Sequence, residues 1–325
     1  MKLKFCQINA ENLFLLLDQP LPVHFTHLDE QQWQKHSTSV YNNKPLKHLL
    51  HITQTIQVID ADIIMLNEVG GSESLKNFNQ FFLKDLYTPI LIEGNSDRNI
   101  DVGFLIKKNA HFYFDLFSHK NKELDLKYDF LHGLDKKIYK FSRDCSELRL
   151  FHHDVKKPFL IILLTHLKSP LDPERIDAGG TLRRGSELRA CIDIYNQLKT
   201  QHPDTGILLA GDFNGQAGRQ NTDDEFKPIY QQTDLEDILE LAKINQTDRA
   251  TFIQVKSGLR TEGRQIDYCF LSKNLHSHLN LSETRVFLYQ DQYGSPIKKP
   301  ETLDQKAALP SDHYPLVFML ENLKF

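Results

Sequence analysis

Short apolar runs recur along the whole chain, and most of them stop at a polar residue capable of chemistry. "LKFCQI", "DIIMLNEV", "IDVGFLIKK", "SELRLFHHDV", "FLIILLTHL", "GILLAGDF", "QIDYCFLS", "TRVFLYQ" and "YPLVFML" are brief and either β-branched or alternating. Segments of this kind read as strands. Two stretches between them carry a helical stripe instead. In "KPLKHLLHITQTIQVID" the stripe is Leu46, Leu49, Leu50, Ile52, Ile56 and Ile59; in "LRRGSELRACIDIYNQLKTQ" it is Leu188, Cys191, Ile192, Tyr195 and Leu198. Many strands and few long helices, evenly spread, predict packed sheets flanked by helices. No internal repeat and no Pro-, Gly- or Ser-rich linker divides the chain, so its 325 residues are expected to form a single domain, 1–325, of the α/β class. The segment 119–140 is polar, Lys-rich and poorly periodic, and is expected to be a long loop or hairpin excursion.

Charge and cysteine usage narrow the function. A net charge of -4 excludes a polycation built to coat nucleic acid; a nucleic-acid partner would need a local basic surface. Cys6, Cys145, Cys191 and Cys269 are scattered, with no CxxC and no Cys/His cluster. They are expected to be buried free thiols, which argues against a disulfide framework or a zinc site. The apolar run after the first lysines is broken at once by Gln7 and Asn9, and no run approaches membrane-spanning length. The expected location is cytoplasmic.

The polar residues fall at the strand ends. "IIMLNEV" reaches Glu68, "IILLTHLKS" reaches His166 and Lys168, and "ILLAGDFN" reaches Asp212 and Asn214. "QIDYCFL" carries Asp267, "LPSDHYPLVF" places Asp312 and His313 before the last strand, and the first strand delivers Asn9 and Glu11. Each has an ordinary reading alone. "GDFN" is a turn or cap, Glu68 a solvated strand end, His166 a hydrogen-bonded structural histidine, and "SDH" an Asx turn. Five or six such coincidences are much harder to explain by turn chemistry. Strand ends sharing one rim would gather these groups into one cleft.

Carboxylates, carboxamides and two histidines without a thiolate make a hard, oxygen-rich site, suited to Mg²⁺ or Mn²⁺ rather than zinc. A carboxylate off the metal can activate water, and histidines can stabilise charge on phosphoryl oxygens or protonate a leaving oxygen. That set describes hydrolysis of a phosphate ester.

The ordered motifs "NAEN", "NE", "GFLI", "THLKS", "GDFN", "IDY" and "SDH" resemble the endonuclease/exonuclease/phosphatase (DNase I-like) superfamily over nearly the whole chain. They look closest to its bacterial nuclease-like members. The resemblance implies a four-layer α/β sandwich, with two mainly antiparallel sheets face to face, helices outside and the cleft at one end. It implies Glu68 as principal metal ligand, with Asn9, Glu11 and Asp312 beside the ion; Glu11 stands where several members have Asp. Asp212 would position and activate the water, and Asn214 would hydrogen-bond a phosphate oxygen. His313 would contact the scissile phosphate while Asp267 fixes its tautomer, and His166 matches a second histidine of some branches.

Arg98, in "EGNSDRNIDVGFLIKK", and Lys168 are expected to bind substrate, Arg98 by gripping a phosphate bidentately. Arg143 is expected to be as much a local salt bridge with Asp144 as a substrate contact. Arg183 and Arg184, at a helix start, are expected to be solvated. The leading expectation is a Mg²⁺-dependent, monomeric phosphodiesterase acting on DNA or RNA. Two alternatives stay open. One is a phosphatase or phosphodiesterase on inositol phosphates, phosphoinositides or sphingomyelin, although no polybasic tail or anchoring helix supports a lipid surface. The other is a non-catalytic binding protein, disfavoured because every matched acid and histidine is present.

Overall fold

The computed structural model describes residues 1–128, 137–152, 156–172, 175–256 and 260–323. Its strands are β1 (Leu3–Leu13), β2 (Ile63–Val69), β3 (Tyr87–Ile90), β4 (Asp101–Lys107), β5 (Tyr113–Ser118), β6 (Cys145–Phe151) and β7 (Pro158–His166). They continue as β8 (Gly206–Asp212), β9 (Glu236–Asp237), β10 (Phe252–Lys256), β11 (Arg260–Arg264), β12 (Asp267–Leu271), β13 (Arg285–Val286) and β14 (Leu316–Leu320). Two six-stranded sheets result, in the orders β13-β14-β1-β2-β4-β3 and β5-β6-β7-β8-β12-β9, while β10 and β11 pair as a separate hairpin. The sheets face each other with helices outside, as expected of a four-layer α/β sandwich.

Each sheet is antiparallel except at one central pair. β1 and β2 run parallel, with Asn9 opposite Asn67, and so do β7 and β8, with His166 opposite Asp212. Parallel strands need a long crossover. The two expected helices supply it, Leu46–Ile59 between β1 and β2 and Thr181–Gln201 between β7 and β8. The first packs its buried Leu49, Ile52 and Ile56 with Ile8 and Leu66. The second packs Leu188, Ile192 and Tyr195 with Ile161 and Leu209. A third cluster, including Phe5, Met65, Ile162, Leu208 and Phe318, fills the space between the sheets. All four cysteines are buried free thiols, as expected.

The expected strand in "TRVFLYQ" shrinks to Arg285–Val286. Beyond it the Phe287 N–H turns to the Pro315 carbonyl, and the chain leaves the sheet edge for a bridge between Gln290 and Pro296. The excursion at 119–140 is described only in part, since 129–136 lie outside the described residues. Its flanks bridge at Glu123 and Lys140 and bury Leu124, Leu126 and Tyr139. Among the described residues no helix is long and apolar enough to cross a membrane.

Candidate phosphoesterase site

The two-residue period of a strand explains the site. On the inward face of β8, Leu208 and Ala210 belong to the inter-sheet core and Asp212 follows in the same alternation. On β7, Leu160, Ile162 and Leu164 are followed by His166, and on β1, Leu3 and Phe5 by Gln7 and Asn9. On β2, Ile63 and Met65 are followed by Asn67. The carboxyl ends of the two parallel pairs meet at one end of the sandwich. β12 and β14 run the other way, so they contribute the residues at or before their starts, Asp267 and His313.

Backbone strain brings in the rest. Glu11, Asn12, Glu68 and Asn214 all have left-handed φ, between +48° and +61°, a conformation that non-glycine residues hold only where the surroundings enforce it. By strand period Glu68 would face outward; its φ of +61° and the bulge after Leu66 redirect it. Gly211 has φ +136°, and a Cβ there would lie 1.8 Å from the Thr165 carbonyl oxygen. Only glycine fits ahead of Asp212.

A continuous polar line runs through these groups. His313 Nδ1 lies 2.8 Å from Asp267 Oδ2, and His313 Nε2 lies 3.7 Å from Asp312 Oδ1 and 4.0 Å from Asp212 Oδ2. Asp212 accepts from Asn9 Nδ2 at 3.0 Å and from the Asn214 N–H at 2.8 Å. His166 Nε2 lies 3.5 Å from Asp212 Oδ2 and 3.9 Å from Glu68 Oε1. The Asn12 N–H donates to Glu68 Oε2 at 3.0 Å, and the Asp312 N–H donates to Glu11 Oε2 at 3.2 Å. The structure thus brings Asn9, Glu11, Glu68, His166, Asp212, Asn214, Asp267, Asp312 and His313 together.

The two histidines carry different charge. Burial opposes the His313 cation, but Asp267, Asp212 and Asp312 outweigh it and hold its pKa well above the usual value. Burial, with the positive charges of Arg143, His313 and Arg98, holds His166 well below it. Burial next to Asp267 raises Asp212 to about 7, where a carboxylate is poised to exchange a proton near neutral pH.

Two of the expected substrate contacts, Lys168 and Arg98, have partners within the chain. Lys168 turns its ammonium to the main-chain carbonyls of Ser169 and Leu171. Arg98 is exposed and donates to Asn12 Oδ1 at 2.6 Å, at the rim beside the strained turn. The salt bridge expected between Arg143 and Asp144 is absent among the described residues. Asp144 accepts from Ser146 Oγ and the His119 N–H, while Arg143 is 6% exposed with its Nε unpartnered. Its charge faces Glu187, Glu68 and Asp212. Arg184 is not solvated; it is buried and tied to Glu225 and to the carbonyls of Lys168 and Gly179.

Sequence reasoning missed Gln7, Asn67, Lys44 and Ser311. Gln7 Nε2 donates to Asn67 Oδ1 at 2.9 Å and to Asp267 Oδ1 at 3.3 Å, and Asn67 Nδ2 donates to the Thr165 carbonyl at 2.8 Å. The Ser311 hydroxyl donates to the Asn9 carbonyl at 2.7 Å and accepts the His313 N–H. Continuing the alternation of Leu3-Phe5 and Ile63-Met65 by one step would have found the first two. No sequence signal marks Lys44.

The fit to a divalent cation rests on the donors. They are carboxylate and carboxamide oxygens, and among the described residues Glu68 Oε1 accepts no hydrogen bond. Hard oxygens left free in this way suit Mg²⁺ or Mn²⁺. Asp212, Asp267 and His313 also have ligand atoms within 4.8 Å of one another. The His313–Asp267 hydrogen bond and the bonds Asp212 accepts from Asn9 and Asn214 fit that trio better to proton handling than to holding an ion.

Neither a protein-family model nor a curated protein matches the chain. Solved structures do. An endonuclease/exonuclease/phosphatase family protein from Bacteroides thetaiotaomicron superposes with a TM-score of 0.57 at 16% identity, over 98% of this chain and 97% of that one. The fold is that of the endonuclease/exonuclease/phosphatase proteins. D. rerio TDP2, in complex with a single-strand DNA product, superposes with a TM-score of 0.56 at 14% identity, over 99% of both chains. A mannosyl-6-phosphatase from B. thetaiotaomicron gives 0.56 at 16% identity, over 97% of this chain and 98% of that one. In this endonuclease/exonuclease/phosphatase fold the polar line described above lies where six strands converge.

Proposed function

We propose that the chain is a divalent-cation-dependent phosphodiesterase and, among such enzymes, a nuclease. The observation that carries the reading is the buried line Asp267–His313–Asp212, flanked by a neutral His166 and by Glu68. Asp212 takes the proton of the attacking water. Cationic His313, held by Asp267, donates to the phosphoryl oxygens as negative charge builds on them. The Asn214 N–H and Asn9 Nδ2 keep the Asp212 carboxylate oriented, and Gln7 does the same for Asp267. Glu68, with Glu11, Asp312 and the Asn9 carboxamide oxygen beside it, would hold Mg²⁺ or Mn²⁺. When bound, the ion supplies Lewis-acid stabilisation of phosphoryl charge.

Arg143 and Arg98 place positive charge on one flank, which suits a polyanion better than a single small phosphate. The likeness to a protein crystallised with single-strand DNA agrees with this reading. A second reading, a phosphatase on sugar or inositol phosphates, has one observation in its favour. A polar hollow of about 240 Å³ lies beside the Asn214 loop, lined by Gln216, Gln220, Asn221, Gln246, Gln265 and others. Carboxamides of this kind suit a hydroxyl-rich group. A panel with Mg²⁺ or Mn²⁺ on plasmid DNA, RNA, abasic duplex, inositol phosphates, sugar phosphates and sphingomyelin separates the readings. Strand cleavage supports the nuclease. Phosphate release from sugar or inositol phosphates with intact plasmid supports the second reading. No turnover of any of them sinks both.

A further inference from the structure

Two lysines stand against the acids that flank the proposed cation. Lys44 is 4% exposed; its Nζ donates to the Glu11 carbonyl at 2.9 Å and lies 3.7 Å from Glu11 Oε2. Its charge also faces Asp312 and Glu68. Lys306 Nζ lies 3.2 Å from Asp312 Oδ2 and 3.5 Å from the centroid of the Phe252 ring. A buried ammonium is retained only where charge and hydrogen bonds compensate its lost hydration. Here Glu11 and Asp312 provide that compensation.

We propose that Lys44 and Lys306 are built-in counter-ions that hold Glu11 and Asp312 out of a second cation site, so that the cleft takes one divalent ion, at Glu68. The proposal rests on the reading of Glu68 as the cation's ligand. Three carboxylates, Glu11, Glu68 and Asp312, face two ammonium groups. Lys44 and Lys306 already neutralise two of them, Glu11 and Asp312, and cationic His313 stands 3.7 Å from Asp312 as well. Two-metal phosphoryl-transfer sites need a pair of ions roughly 3.5–4 Å apart, and the acids beside Glu68 that a second ion would need, Glu11 and Asp312, are the ones the lysines pair with. The other convergence, Asp212 with Asp267 and His313, is closed differently. A second ion there would have to strip the Asn9 and Asn214 hydrogen bonds from Asp212 and the His313 contact from Asp267.

The test is Mn²⁺ stoichiometry on the full chain, by titration calorimetry and by electron paramagnetic resonance of free Mn²⁺, with thermal midpoints measured alongside. Wild type should bind one Mn²⁺ per chain, and Glu68→Gln should abolish it. Lys44→Met/Lys306→Met should bind two. Lys306→Met, on the more accessible lysine, should show a weak second site if the double variant fails to fold. Two ions in wild type, or one ion in variants that fold, would overturn the role of the lysines. Binding of the first ion unchanged in Glu68→Gln would overturn the metal reading itself, whatever the lysines do.

Discussion

His313 is the residue whose loss is easiest to put a number on. Its Nδ1 lies 2.8 Å from Asp267 Oδ2, and its Nε2 lies 3.7 Å from Asp312 Oδ1 and 4.0 Å from Asp212 Oδ2. With an effective dielectric of about 20, those separations correspond to gross attractions of about 6, 4.5 and 4 kcal/mol. Asp267, through its charge and its hydrogen bond, is therefore the largest single support of the ring's cation, ahead of Asp212 and Asp312. His313→Ala removes the donor altogether, and loss of one such donor lowers kcat by about 10²–10³. Asp267→Asn retains an acceptor for the Nδ1–H but not the charge, so Asp312 and Asp212 still favour the cation. Its expected loss is about 10–10². The His313 pKa should fall in that variant, so activity that needs the cation should fade at lower pH than in wild type. The two residues act as one unit, so the double variant should be no worse than His313→Ala. The assay is kcat for bis(p-nitrophenyl) phosphate with Mn²⁺ across pH, with the thermal midpoint of each variant measured in parallel. Multiplicative losses in the double variant would refute the pairing. So would near-normal kcat with a large fall in midpoint, which would make both residues structural.

Three further outcomes follow from the geometry. EDTA should abolish turnover and Mg²⁺ or Mn²⁺ should restore it; full activity in EDTA would remove the cation from the proposal. Arg143→Met should raise KM by about 10-fold, the scale of one charge-assisted hydrogen bond, and by more than Arg98→Ala does; the reverse order would return the phosphate contact to the rim. Burial raises the Asp237 carboxyl to about 7, and its Oδ1 has no partner. The stability its protonation confers is complete below about pH 4 and lost as pH rises through about 7, so Asp237→Asn should gain on wild type by up to about 4 kcal/mol between those limits. Chemical denaturation at pH 5 and pH 8 checks this, and a variant equally stable relative to wild type at both pH values would contradict it.

Much of this architecture was legible because burial on both faces leaves long apolar runs. "FLIILLTHL" and "GILLAGDF" are central strands whose apolar character ends where the polar line begins. β5 and the β10–β11 hairpin escaped because they lie at an edge or apart from the sheets, with few buried side chains to imprint a pattern. Within the site, residues on the two-residue period could be placed from sequence, as Asp212 and His166 were. Those delivered by left-handed backbone could be named but not aimed, because local strain is set by neighbours distant in sequence. Arg98 and Arg143 show the same limit. Both precede strands in polar loops, yet only Arg143 is enclosed, and what encloses it comes from elsewhere in the chain.

The strand of the first sheet that comes latest in chain order, β14, is not at its edge. β14 sits between β13 and β1, and Leu320 pairs with Leu3 across more than three hundred positions. During synthesis, β1 and β2 can pair early, but the hydrogen-bonding edge of β1 stays open until residues 316–320 leave the ribosome. His313 arrives only with that segment, so the nascent chain carries its acids without their cationic partner, and under the proposed mechanism turnover waits until the segment has emerged. The open edge is also where another strand could insert. Slow release of the segment should therefore expose this chain to aggregation, and ribosome-bound chains arrested before residue 311 should bind chaperones more persistently than chains arrested with residue 323 outside the tunnel.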